Sequence, residues 1–346
     1  MNTTPTSIAR ITLQSPYLIF FADIHAKAYA KTGLGLTQWC PEKCVGQLRL
    51  PGCVVDSGLP DMDVAVARAA GARSLIVGVA PIGGSMKSAW IDTLIRAAEA
   101  GLDIVSGLHS PLSRIAGLPE AAARGSACLV DVRVPPPGIP IASGRKRSGK
   151  RLLAVGTDCA VGKKYTSLAI ARELQARGLA ATFRATGQTG IMIAGEGMPI
   201  DAVVCDFTAG AAEVLSPDNT PDHWDVIEGQ GSLFHPAYAG VSLGLLHGSQ
   251  PDAIVVCHEA GREETASYPG YALPSLQACI DLHLQMGRRT NPAIRCVGIS
   301  INTTALAPDR RQAYLDESAQ QTGLPCVDPL VEGPASIVDR LLQETA

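Results

Sequence analysis

Aromatic residues supply only 4% of the 346-residue chain. A sequence so poor in rings and rich in Ala, Gly and Val fits closely packed helix-on-sheet layers, rather than a sandwich or a solenoid. Charge of one sign is equally scarce, with a net charge of −3, which speaks against a nucleic-acid surface or a polybasic membrane face. No apolar run approaches membrane-spanning length, the stretch at 17–21 is strand-sized, and a charged leader followed by a long apolar segment is missing. A soluble, cytoplasmic protein is therefore expected. Of the ten cysteines, only Cys40 and Cys44 form a close pair. No second pair or histidine stands at zinc-like spacing, so free thiols are expected and no metal.

What is present alternates. Strand patterns at 17–21, 53–56, 74–79, 102–106 and 127–132 are interleaved with helical patterns at 61–70, 88–100 and 119–124. This predicts an α/β domain with a parallel sheet, Rossmann-like, over residues 1–135. The run Val134-Pro-Pro-Pro-Gly-Ile-Pro140 can hold neither a helix nor a central strand, and a basic, glycine-bounded stretch follows it. Residues 136–150 are read as a linker. A second parallel α/β domain is expected over 151–346, with strands at 181–183, 202–205, 225–227, 253–257 and 296–301. Helices are expected at 163–177, 274–286 and 309–322. The length suits two domains, each with its own core.

The strongest single signal opens the second domain. An apolar strand leads into Gly156-Thr157-Asp158-Cys159-Ala160-Val161-Gly162-Lys163, a glycine-bounded loop at the head of a helix, which is a phosphate-binding P-loop. Where a nucleotide hydrolase places the Ser or Thr that holds Mg²⁺, this chain has Lys164, followed by Tyr165. An ammonium cannot ligate magnesium, so the loop suits phosphate binding better than phosphoryl transfer. Other polar residues collect at predicted strand ends, where open parallel sheets bind ligands. These are Arg184 with Gln188, Asp206, Glu228 with His235, His258 with Arg262, and, in the first domain, His109 and Arg133. A cleft between the two domains is the expected location of the site.

Distantly, the loop resembles that of dethiobiotin synthetase. Much more closely, six motifs in order resemble the DgcN-type family of D-glutamate N-acetyltransferases. They are Gly78-Val-Ala-Pro-Ile-Gly-Gly84, Ser106-Gly-Leu-His109, Asp131-Val-Arg-Val-Pro135, the P-loop, Glu228-Gly-Gln-Gly-Ser-Leu-Phe-His-Pro236 and His247-Gly-Ser-Gln-Pro-Asp252. The resemblance implies transfer of acetyl from acetyl-CoA to the amino group of D-glutamate, with the loop residues Gly156 to Tyr165 holding CoA phosphates and no metal. Such chemistry needs a base, because only the neutral amine attacks a thioester. Glu228 or Asp206 is the first choice, and His235 the third. It needs cations for two carboxylates, and bidentate arginine serves best. Arg184, Arg133 and Arg262 are chosen in that order, with Gln188 and His109 as further substrate contacts. Small-molecule substrates and a homodimer are the expected partners. Two alternatives stand: an ATP- and Mg²⁺-dependent ligase or kinase, and a non-catalytic nucleotide- or CoA-binding module. Nothing in the residues separates a D- from an L-amino-acid site.

Overall fold

The computed structural model describes residues 10–79, 86–108 and 110–345. The chain forms two compact units, one from Arg10–Pro135 with Gln188–Pro199, the other from Pro136–Gly187 with the residues from Ile200 onward. The break after Pro135 falls at the proline run. The excursion of Gln188–Pro199 into the first unit differs from the sequence reading, which gave 151–346 to one domain.

The first unit runs through β1 (Ile11–Thr12), β2 (Tyr17–Ala22), α1 (Lys31–Trp39), β3 (Cys44–Arg49), α2 (Val64–Ala69), β4 (Ser74–Val77), α3 (Ser88–Glu99), β5 (Asp103–Ser106), α4 (Leu118–Gly125) and β6 (Leu129–Asp131). Five of these strands form a wholly parallel sheet in the order β3-β2-β4-β5-β6. Strand β2 is buried at every residue, as an apolar run covered on both faces must be. Helix α3 buries Trp90, Leu94, Ala97 and Ala98, a stripe at helical spacing.

The strand expected at 53–56 is irregular chain, and the edge strand is β3 instead. Gly46 and Gln47 hide β3 from a propensity argument. The structure buries Gln47 by satisfying its amide with Asp56 Oδ1, Leu59 O and the Ser57 hydroxyl. Backbone bonds from Gln47 to Pro60 and Met62 then cover the open edge of β3. The helix expected at 61–70 starts only at Val64, because the Asp63 side chain caps it by accepting from Val66 N.

The chain continues with β7 (Lys150–Gly156), α5 (Lys163–Ala176), β8 (Ala181–Arg184), α6 (Gln188–Ala194) and β9 (Glu196–Gly197). The last two belong to the first unit, where β9 pairs antiparallel with β1. Lys43 Nζ donates to Ile193 O and Ala194 O at 2.9 and 2.8 Å, and so caps the carbonyl end of α6.

The second unit adds α7 (Thr208–Leu215), β10 (Trp224–Ile227), α8 (Ala239–Ser249), β11 (Ala253–Glu259), α9 (Leu276–Gly287), β12 (Arg295–Asn302), α10 (Pro308–Thr322), β13 (Cys326–Val327) and α11 (Ala335–Glu344). Its six parallel strands stand in the order β13-β12-β11-β7-β10-β8. On one face Leu152, Val226, Val255 and Val297 pack against Ile170 and Leu174 of α5 and Ile337, Val338 and Leu341 of α11. Each such side chain contributes about 1.5–3 kcal/mol on burial. Central strand β7 thereby holds the phosphate loop on a rigid base.

The strand expected at 202–205 is absent. Two short 3₁₀ turns, Ile200–Ala202 and Cys205–Phe207, replace it, and Val204 is 68% exposed. Among the described residues, no helix is long and apolar enough to cross a membrane.

Candidate active site

The phosphate loop leaves β7 at Gly156 and enters α5 at Lys163. Gly162 has φ +107, with open space where a side chain would stand. That left-handed conformation favours glycine and turns the chain so that the first amides of α5 face outward. These orphan N–H groups and the helix dipole make the anion site. Lys163 is buried, which lowers its pKa, and Nζ donates to Asp158 O at 2.6 Å. Thr166 does not replace the missing magnesium ligand. It is buried and bonded to Gly162 O at 3.1 Å and to the Ser300 hydroxyl at 2.7 Å.

The Asp158 carboxylate organises the loop from within. It accepts from Cys159 N at 2.6 Å, Arg262 Nη1 at 3.0 Å and Ala266 N at 2.8 Å. Arg262 also donates to Cys159 O at 2.8 Å and pairs with Glu259. It therefore braces the P-loop, and Asp158 and Glu259 already meet its charge. The Thr157 hydroxyl meets His258 Nδ1 at 3.1 Å, and His258 Nε2 meets the Tyr314 hydroxyl at 3.3 Å. Burial lowers the His258 pKa and keeps the ring neutral, helped by the charge of Arg262.

Asp158, Cys159 and His235 bring one potential ligand atom each within 4.8 Å of one another. The donor set does not suit a cation, because Arg262 and backbone amides already occupy the carboxylate. Ala237 N donates to His235 Nδ1 at 3.1 Å, which leaves Nε2, 4.0 Å from Asp158 Oδ1, as the proton-bearing nitrogen. In this tautomer His235 is a donor, which argues against it as the base.

Glu228 follows β10 directly and takes the strand-end position expected for Asp206. Its Oε2 accepts from Thr186 N at 2.9 Å and Gly187 N at 3.1 Å, and no described residue hydrogen-bonds Oε1. Burial raises its pKa, while the charge of Lys164 and the two amides pull the other way. Gly229 next to it lets this loop touch β7. A Cβ there would lie 1.6 Å from Ala154 O and 3.0 Å from Lys163 Cδ. The backbone just after Glu228 thus lies against β7 and the Lys163 side chain. Lys164 Nζ lies 4.4 Å from the Tyr165 ring centroid.

The remaining predicted residues scatter. Asp206 is exposed in a 3₁₀ turn and meets none of these groups, because its strand does not form. Arg184 is buried and donates from Nε to Asp225 Oδ1 at 2.7 Å, so its charge is already matched inside the sheet. Arg133, half-buried after β6, and Gln188, at the start of α6, lie in the first unit. His109 and most of the 78–84 motif lie outside the described residues. Sequence reasoning missed Asp225. A lone carboxylate within the apolar strand Trp-Asp-Val-Ile needs a buried partner, and that was the available signal.

These features define a P-loop α/β protein with a second, Rossmann-like sheet, whose phosphate loop has lysine in place of the magnesium-binding hydroxyl. The chain belongs to the DUF1611 family. The Rossmann-like domain of unknown function, DUF1611_N, matches residues 49–135, and the P-loop domain, DUF1611_C, matches residues 140–338. A curated protein of Tritonibacter scottomollicae, named D-glutamate N-acetyltransferase, is 49% identical over 95% of this chain and 99% of its own. One of the same name from Pseudoalteromonas sp. is 44% identical over the same shares. The crystal structure of a DUF1611 protein from Anabaena variabilis superposes with a TM-score of 0.81 at 32% identity, covering 95% of this chain and 100% of that one.

Proposed function

We propose that the protein is an N-acetyltransferase that moves acetyl from acetyl-CoA to the amino group of D-glutamate. Nearly full-length likeness to two curated proteins of that name supports the reading. The observation that carries it is the buried Glu228 carboxylate, with Oε2 fixed by two amides and its charge felt by Lys164 of α5. The loop amides, Lys163 and Lys164 bind CoA phosphates without magnesium. Acetyl-CoA supplies the thioester carbonyl. Glu228 removes the proton from the substrate ammonium, and burial, by raising its pKa, makes it a stronger base than an exposed carboxylate. N–H groups of the 229–231 turn serve as oxyanion donors. Arg133, Gln188 and His109 are proposed for the substrate carboxylates from their residue types alone. A cytoplasmic setting belongs to the same reading, and the ten free cysteines support it.

The commitment of Thr166 to the core disfavours the ATP- and Mg²⁺-dependent alternative. The direct test is a thiol assay of CoA release, with D- and L-glutamate compared and ATP and Mg²⁺ absent. Release with D-glutamate alone is the expected result. No release with either isomer, from folded protein, would reject the reading. Lys163→Met is expected to weaken CoA binding by roughly 10- to 100-fold, the loss of a charge-assisted contact. Titration calorimetry with CoA measures this, and unchanged affinity would remove Lys163 from the phosphate site.

A further inference from the structure

Among the described residues only two aromatic side chains are exposed, Tyr238 at 50% and Tyr271 at 54%. Both connect to the phosphate loop through ring contacts. His235, buried with Nε2 4.0 Å from Asp158 Oδ1, is the link. The Tyr238 ring stacks on it with centroids 4.5 Å apart and an interplanar angle of 31°. Tyr268 meets its edge at 4.9 Å, and Tyr271 meets the edge of Tyr268 at 6.2 Å.

This aromatic row is built, not incidental. Tyr268 and Tyr271 belong to a flap closed by Leu273 N to Glu263 O and Thr265 N to Tyr271 O, both 2.8 Å. The flap is tied to the phosphate loop by Asp158, which accepts from both Arg262 and Ala266 N. One buried carboxylate therefore fixes the anion cradle and the rings in a common frame.

We propose that Tyr238 and Tyr271 form a stacking subsite for the purine ring of the phosphate-bearing ligand. On the reading above, which this inference deepens, the ring is the adenine of acetyl-CoA. A phosphate loop alone cannot tell one phosphate ester from another. Flat π faces next to it select a ligand that carries a base, and their exposure in the free chain is the state from which stacking gains.

The test compares ADP with inorganic pyrophosphate as calorimetric probes of the full-length protein. Tyr238→Ala and Tyr271→Ala are expected to weaken ADP binding by roughly 5- to 100-fold, to leave pyrophosphate binding unchanged, and to raise the KM for acetyl-CoA. Tyr238→Phe and Tyr271→Phe should behave as the unsubstituted chain. Equal losses for both probes would show a structural role and overturn the proposal, as would wild-type ADP binding no tighter than pyrophosphate. A changed oligomeric state with unchanged ADP affinity would assign the rings to an interface between copies, which also overturns it. ADP stacking without glutamate-dependent CoA release would retain the subsite and reject acetyl transfer.

Discussion

Glu228→Gln is expected to reduce turnover by roughly 10²- to 10⁴-fold, the usual range for a general base, with little change in the KM for acetyl-CoA. Gln keeps the volume and a carbonyl oxygen for Thr186 N and Gly187 N, so the loop geometry survives. What disappears is the ability to take a proton. Because burial holds the Glu228 pKa above its ordinary value, the unsubstituted enzyme should lose activity on the acid side of neutrality, and the variant should lose that limb of the profile.

Stability moves in the opposite direction. The folded state keeps this proton over a pH window in which the unfolded chain has released it. The stability linked to this group is therefore fully present below the unfolded pKa and lost as pH rises through the higher folded value. At pH 8 the glutamine variant should melt no lower than the parent. Steady-state kinetics across pH, paired with thermal melts, separate the two effects. An undiminished turnover would remove Glu228 as the base.

Asp225→Ala is expected to destabilise the second unit by about 3–5 kcal/mol, the cost of breaking a buried ion pair. For a unit of this size that corresponds to a fall in Tm of roughly 10 °C. Asp225 Oδ1 holds Arg184 Nε at 2.7 Å, and Oδ2 accepts from the Ser216 hydroxyl at 2.6 Å. Ser216 Oγ in turn accepts from the buried Arg151 Nε at 2.8 Å. Removing the carboxylate takes an ion-pair partner from the buried Arg184 and the acceptor from the Ser216 hydroxyl. Because the pair is dry, added salt should not restore the loss, and Asp225→Asn, which keeps the acceptor oxygen, should lose less. Circular dichroism melts at low and high salt make the measurement. A Tm within a degree of the parent would mean that Arg184 does not depend on this pair, and would reopen its assignment to substrate.

The sequence by itself determined the two parallel α/β layers and the phosphate loop, because both are written locally. Buried parallel strands must read as short apolar runs, and the loop needs glycine and lysine at fixed spacing on one continuous segment. Glu228 was legible for a related reason: a carboxylate directly after an apolar strand and before Gly229 lands at the carboxyl edge of a sheet. Only the tertiary structure decided which charges were free for chemistry. Arg184 and Arg262 look alike as strand-end cations, but Asp225 and Asp158, distant in sequence, take up their charge. Asp206 follows four residues that read as a strand, yet β10 and not that segment lies beside β8. The tautomer of His235 depends on one amide, and residues 188–199 are held in the first unit by a two-residue pairing with β1 and by Lys43. Local pattern fixes backbone conformation, whereas the state of a charge is set by whatever the fold brings within about 4 Å of it.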